Sequence, residues 1–510
     1  MFCGGIKVNL DWIKVRSLLT PERVGLVDPL KKIEWTYKEI NVRAENLAHY
    51  LKQQGVVKGD RVALYAPNDL SYFDVLLASI KLGAIFIPLN WRLKPIEIKR
   101  VIEDAEPKLI LHSSQISERL SFLDDSLLSL DVDSEEYNEI CESPNHVELQ
   151  SESLELDTPV MLIYTTGTTG DPKGAIITHN GMVNNSMNTI MSWNITHEDV
   201  TIASAPMFHI AGLSGIIIPL LLIGGKVIID RFFDGAHTNE LIKQYKPTML
   251  FMVPTMYYGL ISTEKFSKEN LESVHTFVAG GSPPLKEVVN YFVKENIPLI
   301  NSYGLTEAGP NNFKLTGDIA LQHPFSIGYP SFFVEAKIVD ENDKEVEQGQ
   351  VGELLIAGQH TFDGYWNNPE ETKKAFLGAY VRTGDLAKKD EKGLFYIVDR
   401  KKEMIITGGE NVFPSEVEKV LNDDPCVKNA VVVGYEHPRY GQSVGAALIY
   451  DGDRSNITAL EQHAYDNLAG YKTPKQYLFL DTFPVNSVGK IDKREISRLL
   501  NELSVVEINH

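Results

Sequence analysis

Cysteine is scarce in this sequence. Cys3, Cys141 and Cys426 are the three cysteines among 510 residues, and they are widely spaced. So few thiols at such spacing exclude a disulfide framework and a cysteine-rich zinc site. This cysteine usage is typical of a reducing compartment, and we expect a cytoplasmic protein.

Positive charge is also scarce. The chain has 49 Lys and Arg against 69 Asp and Glu, which gives a formal net charge of −20. A nucleic-acid partner requires a basic face for its phosphates, so this composition argues against one. An anionic ligand would have to be held by a local cluster of donors.

No hydrophobic run is long and pure enough to predict a membrane span or a signal peptide. The nearest stretch, residues 210–229, contains four glycines as well as Pro219 and Lys226. It predicts a buried helix followed by a strand. The sequence therefore predicts no integral membrane segment.

What the sequence does contain is alternation of short apolar runs with helix-period segments. Two series occur, RVALYAP, AIFIP and KLILH followed by TIASAP, KVIID, TMLFMVP, VHTFVAGG and IPLINSYG. Such alternation predicts an α/β fold with two parallel-rich sheets. After about residue 321, shorter strands and turns predict a smaller β-rich part.

The length of 510 residues predicts two or more domains. We expect a large domain over residues 1–400 and a small α+β domain over residues 401–510, with the boundary at residues 400–402. The first helix of the small domain should begin near Pro414, because proline and serine are favoured at a helix start.

A polar loop, TTGTTGDPKG, interrupts two strand-like runs at residues 165–174. Glycines allow backbone N–H groups to converge on a phosphate, threonine hydroxyls add donors, and Lys173 adds a point charge. The P-loop spacing is not matched, since a strand pattern follows Lys173. The alternative is an exposed, flexible hairpin. The candidate phosphate-binding residues are Thr165, Thr166, Gly167, Thr168, Thr169, Gly170 and Lys173.

This loop resembles the signature loop of the adenylate-forming superfamily, which includes acyl-CoA synthetases, aryl-CoA ligases, luciferases and adenylation domains of peptide synthetases. Similar blocks follow in the superfamily's order at residues 302–307 (SYGLTE), 380–385 (YVRTGD), 399–402 with 408–411 (DRKK and GGEN), and 488–490 (VGK). The resemblance implies activation of a carboxylic acid with ATP and Mg²⁺, followed by transfer to CoA.

The resemblance also implies roles in ATP binding. Thr306 would donate to the α-phosphate, Glu307 would hold Mg²⁺, and Tyr303 would offer a flat face to adenine. Asp385 and Arg400 would bind the ribose. The alternatives are a core aromatic for Tyr303, a solvated turn for Glu307, a turn-stabilising aspartate and a surface arginine.

Lys490 matches the lysine that bridges the substrate carboxylate and the α-phosphate in the superfamily, with a solvated surface lysine as the alternative. Many relatives have threonine before this Gly-Lys, whereas this chain has Ser487-Val488. By the same resemblance, Lys402 is the hinge about which the small domain rotates between the two half-reactions.

The acyl pocket is expected at His209, Gly280, Gly281 and Ser302, and CoA is expected along Gly408, Gly409 and Lys472. The alternatives are a core histidine and two ordinary loops. Amino-acid activation is disfavoured, because Phe208-His209 stands where an aspartate would pair an amino group and no carrier domain follows.

We therefore expect an ATP-dependent acyl-CoA synthetase, with a fatty acid as the leading substrate. An aryl acid or 2-succinylbenzoate is the alternative substrate. A luciferase-like oxygenase and a non-catalytic nucleotide-binding regulatory protein are the alternative functions. A homodimer is compatible with the resemblance.

Overall fold

The computed structural model describes residues 10–123, 127–144, 149, 152, 154–166, 172–264, 266–407, 410–437, 440–454, 457–486 and 490–508. The chain forms two compact units. The large unit comprises Met1–Lys337 and Leu355–Thr383, and the small unit comprises Ile338–Leu354 and Gly384–His510.

This division by packing differs from the expected boundary at residues 400–402. The chain passes into the small unit after Thr383, because the strand that begins at Tyr380 continues to Lys389 and pairs with the strand that ends at Arg400. The expected boundary rests on the end of the GLFYIVDR strand and on the α+β pattern that follows it. It stays a prediction.

The described strands range from 2 to 11 residues in length. In chain order they are β1 Val24–Asp28, β2 Ile33–Thr36, β3 Arg61–Tyr65, β4 Ile85–Pro88, β5 Leu109–His112, β6 Leu128–Asp131, β7 Pro159–Thr166, β8 Pro172–Thr178, β9 Val200–Ala203, β10 Lys226–Ile229, β11 Met249–Met252, β12 Thr276–Ala279, β13 Leu299–Asn301, β14 Phe313–Lys314, β15 Tyr329–Pro330, β16 Glu335–Val339, β17 Gly352–Ala357, β18 Phe376–Leu377, β19 Tyr380–Lys389, β20 Phe395–Arg400, β21 Ile405–Thr407, β22 Glu410–Val412, β23 Val427–His437, β24 Gly441–Tyr450 and β25 Gln476–Phe479.

The helices alternate with these strands through most of the chain. They are α1 Trp12–Leu19, α2 Tyr37–Gln53, α3 Ser71–Leu82, α4 Pro95–Ala105, α5 Glu135–Cys141, α6 His179–Trp193, α7 Ile210–Ser214, α8 Ile217–Ile223, α9 Gly235–Tyr245, α10 Pro254–Ile261, α11 Lys286–Lys294, α12 Gly317–Gln322, α13 Pro369–Ala375, α14 Pro414–Leu421, α15 Thr458–Asn467 and α16 Lys493–Ile508, with 3₁₀ turns at Ser114–Leu120 and Lys268–Leu271.

Two parallel-rich sheets form the large unit, as the sequence predicts. The first has the order β6-β5-β3-β4-β7-β8, and β8 runs antiparallel to β7. The second has the order β13-β12-β11-β9-β10-β1-β2, and β2 runs antiparallel to β1. The β-branched and aromatic runs of these strands are buried because helices cover the faces of parallel sheets.

The apolar stretch at residues 210–229 folds as two short helices, α7 and α8, followed by β10. Gly224, with φ of 100°, ends α8 in the left-handed region that glycine tolerates. The prediction of buried helix and strand is confirmed. No described helix is both long enough and apolar enough to span a membrane.

The small unit contains a sheet of order β22-β21-β24-β23, with β25 parallel to β24. Helix α14 begins at Pro414 as predicted, with the proline in its first turn. Its buried Val417 and Leu421 pack into a core with the β23 and β24 side chains Val432 and Leu448. The mixed helices and strands confirm the α+β character expected for this part.

A buried histidine gives the large unit a dependence on pH. His179 is the first residue of α6, it is 0% exposed, and neither ring nitrogen has a hydrogen-bond partner among the described residues. Burial lowers the pKa of His179 from 6.5 to about 4. Between pH 6.5 and about pH 4, this histidine is therefore protonated in the unfolded chain and neutral in the folded chain. The free energy of unfolding consequently decreases as the pH falls through this range.

We predict that His179→Leu flattens the loss of stability between pH 6.5 and pH 4. The slope should fall by up to about 1.4 kcal/mol per pH unit, the linkage value for one proton. Denaturant unfolding at several pH values measures this slope. His197→Leu, at an exposed histidine with a 58% exposed side chain, is the control. An unchanged slope in His179→Leu would contradict the assignment.

Candidate active site

The order of strands reverses at β9 in the second sheet. Strand β10 lies on one side of β9 and β11 lies on the other, and all three are parallel. In open α/β sheets, ligands bind outside the carboxyl ends of the strands at such a switch point. The loops that follow β9, β12 and β13 carry the predicted segments at residues 206–212, 280–281 and 302–307.

The SYGLTE segment forms a tight loop after β13. Leu305 N donates to Gly309 O at 3.2 Å, and Ala308 N donates to Leu305 O at 3.2 Å. A Cβ atom at Gly304 would lie 2.3 Å from Pro310 O, so only glycine fits there. The loop presents Thr306 and Glu307 half-buried in its turn.

Glu307 is oriented by a phenol from another segment. Tyr365 Oη donates to Glu307 Oε1 at 2.7 Å, and Phe362 N donates to Glu307 O at 2.9 Å. Burial raises the pKa of Tyr365, and the charge of Glu307 raises it further. The phenol is therefore a fixed donor that occupies one carboxylate oxygen.

The residues fit a magnesium ion that shares its ligands with a phosphate. Glu307 supplies the oxygen ligand that Mg²⁺ prefers. Among the described residues, no group of three or more His, Cys, Asp or Glu side chains is arranged to bind a metal ion. An ion at Glu307 would take its other ligands from phosphate and water.

The signature loop joins two antiparallel strands, as the sequence predicts. Thr165 pairs with Lys173 and Thr166 pairs with Pro172 across β7 and β8. Lys173 Nζ donates to Glu371 Oε2 and lies 5.4 Å from the ring centroid of Tyr365. Tyr365 thus contacts both Lys173 and Glu307. The predicted Gly167, Thr168, Thr169 and Gly170 lie outside the described residues.

Tyr303 is 9% exposed, and its ring packs edge-on against Phe313 with centroids 5.8 Å apart. This burial favours the alternative interpretation, in which Tyr303 is an aromatic residue of the core. Its adenine role stays a prediction.

Gly280 and Ser302, two of the four predicted acyl-pocket residues, lie next to each other after β12 and β13. A Cβ atom at Gly280 would lie 3.2 Å from Ser302 Cβ and 3.3 Å from Phe251 Cε2. Ser302 Oγ donates to Asn311 Oδ1 at 3.0 Å, and the amide of Asn311 donates to Gly215 O at 2.7 Å. The backbone at Gly280 is therefore closely packed against Ser302 and the Phe251 ring, and a side chain there would displace one of them.

His209 precedes α7, and its ring lies 4.5 Å from that of Phe208. Gly281 has φ of 81°, which lets the chain turn after β12. Near these residues a cavity of about 10 Å³ is lined by Thr201, Ile202, Ala203, Ala205, Ala211, Gly212, Ile216, Ile217 and Phe251. The lining is almost wholly apolar.

In the small unit, the predicted ribose residues contact each other. Asp385 is 4% exposed and pairs with Arg400 across β19 and β20, with Arg400 Nε 2.9 Å from Asp385 Oδ1. The Asp385 carboxylate is thus oriented by a guanidinium whose side chain is 47% exposed.

Lys490 lies in the same electrostatic environment. Desolvation lowers its pKa, the charge of Arg400 lowers it further, and Asp385 opposes both. The Lys490 residue as a whole is exposed. Lys402 lies in an exposed turn. Its pKa is also lowered, first by desolvation and then by the charge of Arg400. The structure therefore groups Asp385, Arg400, Lys402 and Lys490 within the small unit.

Lys472 Nζ donates to both carboxylate oxygens of Glu416 at 2.7 Å. It is therefore held on the start of α14, and its CoA role stays a prediction. The predicted Gly408 and Gly409 lie outside the described residues.

Tyr365 and Glu371 were missed by the sequence reasoning. They belong to the stretch GYWNNPEET, in which Asn368 caps α13 and Pro369 opens it. An Asn-Pro-Glu-Glu helix start is a local signal that places Glu371 on the first turn. This local signal does not indicate that Glu371 pairs with the distant Lys173.

Comparison with known proteins identifies the family. The model of the AMP-binding enzyme family matches residues 15–366, and the model of the AMP-binding enzyme C-terminal domain matches residues 416–490. The chain belongs to the AMP-binding enzyme family. This confirms the adenylate-forming resemblance and the expected α/β fold.

Relatives of this family member include a feruloyl-CoA synthase from Amycolatopsis sp., 34% identical over 91% of this chain and 93% of that protein. A long-chain-fatty-acid–CoA ligase from Mycobacterium tuberculosis is 28% identical over 95% and 97%. The crystal structure of ATP-bound MatB from Rhodopseudomonas palustris superposes with a TM-score of 0.90, at 28% identity over 98% of this chain and all of that one.

These similarities confirm the expected enzyme class, an AMP-forming acid–thiol ligase. ATP, Mg²⁺ and CoA are confirmed as the small molecules of this enzyme class. The acid is defined only as an acyl or aryl carboxylic acid, because relatives named for aryl, fatty and succinylbenzoate acids all align with 91% or more of this chain.

We predict that Tyr365→Phe raises the Mg²⁺ concentration for half-maximal pyrophosphate release. Glu307 loses a charge-assisted hydrogen bond worth roughly 1.5–3 kcal/mol, so about a tenfold increase is expected for this half-buried carboxylate. Phenylalanine keeps the ring beneath Lys173. Tyr380→Phe, which removes the same type of bond to the exposed Glu335, is the control. An equal Mg²⁺ dependence in both variants would show that Tyr365 does not orient the metal ligand.

Proposed function

We propose that this enzyme activates an aryl carboxylic acid as its acyl-AMP and transfers the acyl group to CoA. The binding of ATP in this proposal rests on one observation. Both Lys173 and Glu307 contact the same side chain, that of Tyr365. A cation and a metal-binding carboxylate held together form a site for a magnesium-bound phosphate chain.

The aryl preference rests on two observations. The feruloyl-CoA synthase relative has the higher identity, 34%, over nearly the whole chain. A second relative, an indoleacetate–CoA ligase, is also named for an acid with an aromatic ring and is 28% identical over 98% of this chain. A fatty acid is the second candidate, since the long-chain-fatty-acid–CoA ligase relative is 28% identical over 95% of this chain.

The first half-reaction joins a substrate carboxylate oxygen to the α-phosphorus of ATP and breaks the bond to pyrophosphate. Charge accumulates on the phosphates, and Lys173, Thr306 and Lys490 would disperse it. Glu307 would hold Mg²⁺, which supplies charge neutralisation when bound.

The second half-reaction forms the thioester. The CoA sulfur bonds to the acyl carbon, the thiol proton is lost, and AMP leaves with its phosphate oxygen. Asp385 and Arg400 would hold the ribose of the nucleotide. The mixed anhydride is the more reactive electrophile, which is why the acid is first activated.

Pyrophosphate release over a panel of aryl and fatty acids, with and without CoA, tests the function. We expect pyrophosphate with aryl acids and stoichiometric AMP and acyl-CoA when CoA is added. A preference for fatty acids would support the second candidate. Binding of ATP without pyrophosphate release from any acid would support a non-catalytic nucleotide-binding protein.

We predict that Lys490→Ala lowers the rate of acyl-AMP formation by about two orders of magnitude or more. The side chain would bridge two anions only in the first half-reaction, so conversion of supplied acyl-AMP and CoA to thioester should persist. Lys428→Ala, at an exposed ion pair with Asp451, is the control. Equal losses in both half-reactions would contradict this division.

We predict that Lys402→Pro retains acyl-AMP formation and strongly slows thioester formation. Proline fixes φ near −65° and restricts Lys401, so a rotation that needs a change of φ at this turn is blocked. Each half-reaction is measured separately in a folded variant. Lys402→Ala separates loss of the side chain from loss of backbone freedom. A normal thioester rate in Lys402→Pro would place the pivot elsewhere.

A further inference from the structure

One carboxylate in the large unit holds two lysines of different kinds. Glu371 Oε2 accepts from Lys173, which belongs to the signature hairpin, and Glu371 Oε1 accepts from Lys374 Nζ at 2.7 Å. The side chain of Lys173 is 11% exposed, that of Glu371 is 28% exposed and that of Lys374 is 70% exposed. Each oxygen therefore has its own cation, one inside the site and one at the surface.

The position of Glu371 is set by its surroundings. Asn368 caps α13 and accepts from Glu371 N at 3.1 Å. Thr372 Oγ1 accepts from Tyr365 N at 2.8 Å and donates to Asn368 O at 2.8 Å. The helix turn that carries Glu371 is thus tied to the residue that orients Glu307.

We propose that Glu371 is a positioning residue that holds Lys173 in the nucleotide-free enzyme and exchanges it for the phosphates of ATP. The inference rests on the proposed role of Lys173 in ATP binding. Glu371 and the phosphate chain are both anionic acceptors for one ammonium, so they compete for it.

Lys374 lowers the cost of this exchange. When Lys173 moves to a phosphate, Glu371 still has the ammonium of Lys374 on its other oxygen, so no uncompensated carboxylate remains. The two lysines together hold the pKa of Glu371 down to about 2, first through Lys173 and then through Lys374. Glu371 is therefore charged at neutral pH in either arrangement.

The exchange predicts opposite effects from two substitutions on the same helix. Glu371→Gln removes the competitor, so we expect the dissociation constant of ATP and the inhibition constant of pyrophosphate to fall about three- to tenfold. Lys374→Gln leaves Glu371 dependent on Lys173, so both constants should rise about two- to fivefold. The double variant should behave like Glu371→Gln, because Lys374 acts only through Glu371.

Matched controls are available in the adjacent residues. Glu370→Gln and Lys373→Gln remove the same charges from exposed positions of α13. Calorimetric titration of ATP into each folded variant, without an acid substrate, gives the constants independently of turnover. Melting temperatures show whether a variant is merely destabilised, which alone would not change affinity in opposite directions.

Lys173→Ala separates this inference from the proposed function. Weaker ATP binding in Lys173→Ala, with no shift or a parallel weakening in Glu371→Gln and Lys374→Gln, would overturn the exchange and leave the function standing. Unchanged ATP affinity in Lys173→Ala would overturn the role of Lys173 itself. Opposite shifts in the two α13 variants, larger than those of their controls, would support the exchange.

Discussion

The common direction of the strands in the second sheet is the constraint on which the large-unit site depends. Because β9, β11, β12 and β13 are parallel, their carboxyl ends lie at one edge, and four loops from distant parts of the sequence begin there. The reversal of strand order at β9 opens a crevice between neighbouring loops. Gly280 and Ser302, two of the residues predicted for the acyl pocket, are close neighbours for this reason, although they are distant in sequence.

Charge at the site is balanced locally in an acidic protein. With a net charge of −20, the chain as a whole repels ATP, so the attraction must come from a few cations that are positioned at short range. Around Tyr365, Glu307 accepts from the phenol, and Glu371 accepts from the ammonium groups of Lys173 and Lys374. These two carboxylates and two ammonium groups sum to zero net charge, so the set adds nothing to the negative charge of the chain.

Local signals in the sequence were sufficient for much of the architecture. The strand runs, the hairpin at residues 165–174, the buried segment at residues 210–229 and the start of α14 at Pro414 all follow from periodicity and turn chemistry. Resemblance to the sequence blocks of the adenylate-forming superfamily identified Glu307, Asp385 and Lys490 as candidate site residues. Contacts between distant segments could not be predicted from local signals. Lys173 and Glu371 are 198 residues apart, and no local sequence pattern at either residue indicates that they form an ion pair. The burial of Tyr303 was likewise undecidable, because an aromatic residue has the same sequence signature in a core and in a binding site.

The grouping of Asp385, Arg400, Lys402 and Lys490 has a consequence for the proposed rotation. Packing assigns all four to the small unit, whereas a pivot at Lys402 would separate Asp385 and Arg400 from Lys490. Rotation about that point would therefore remove the lysine from a neighbouring guanidinium that lowers its pKa, as well as from a carboxylate that raises it. A rotation of this kind would need backbone freedom at residues 400–402, and the ligand that the site holds would shift its equilibrium.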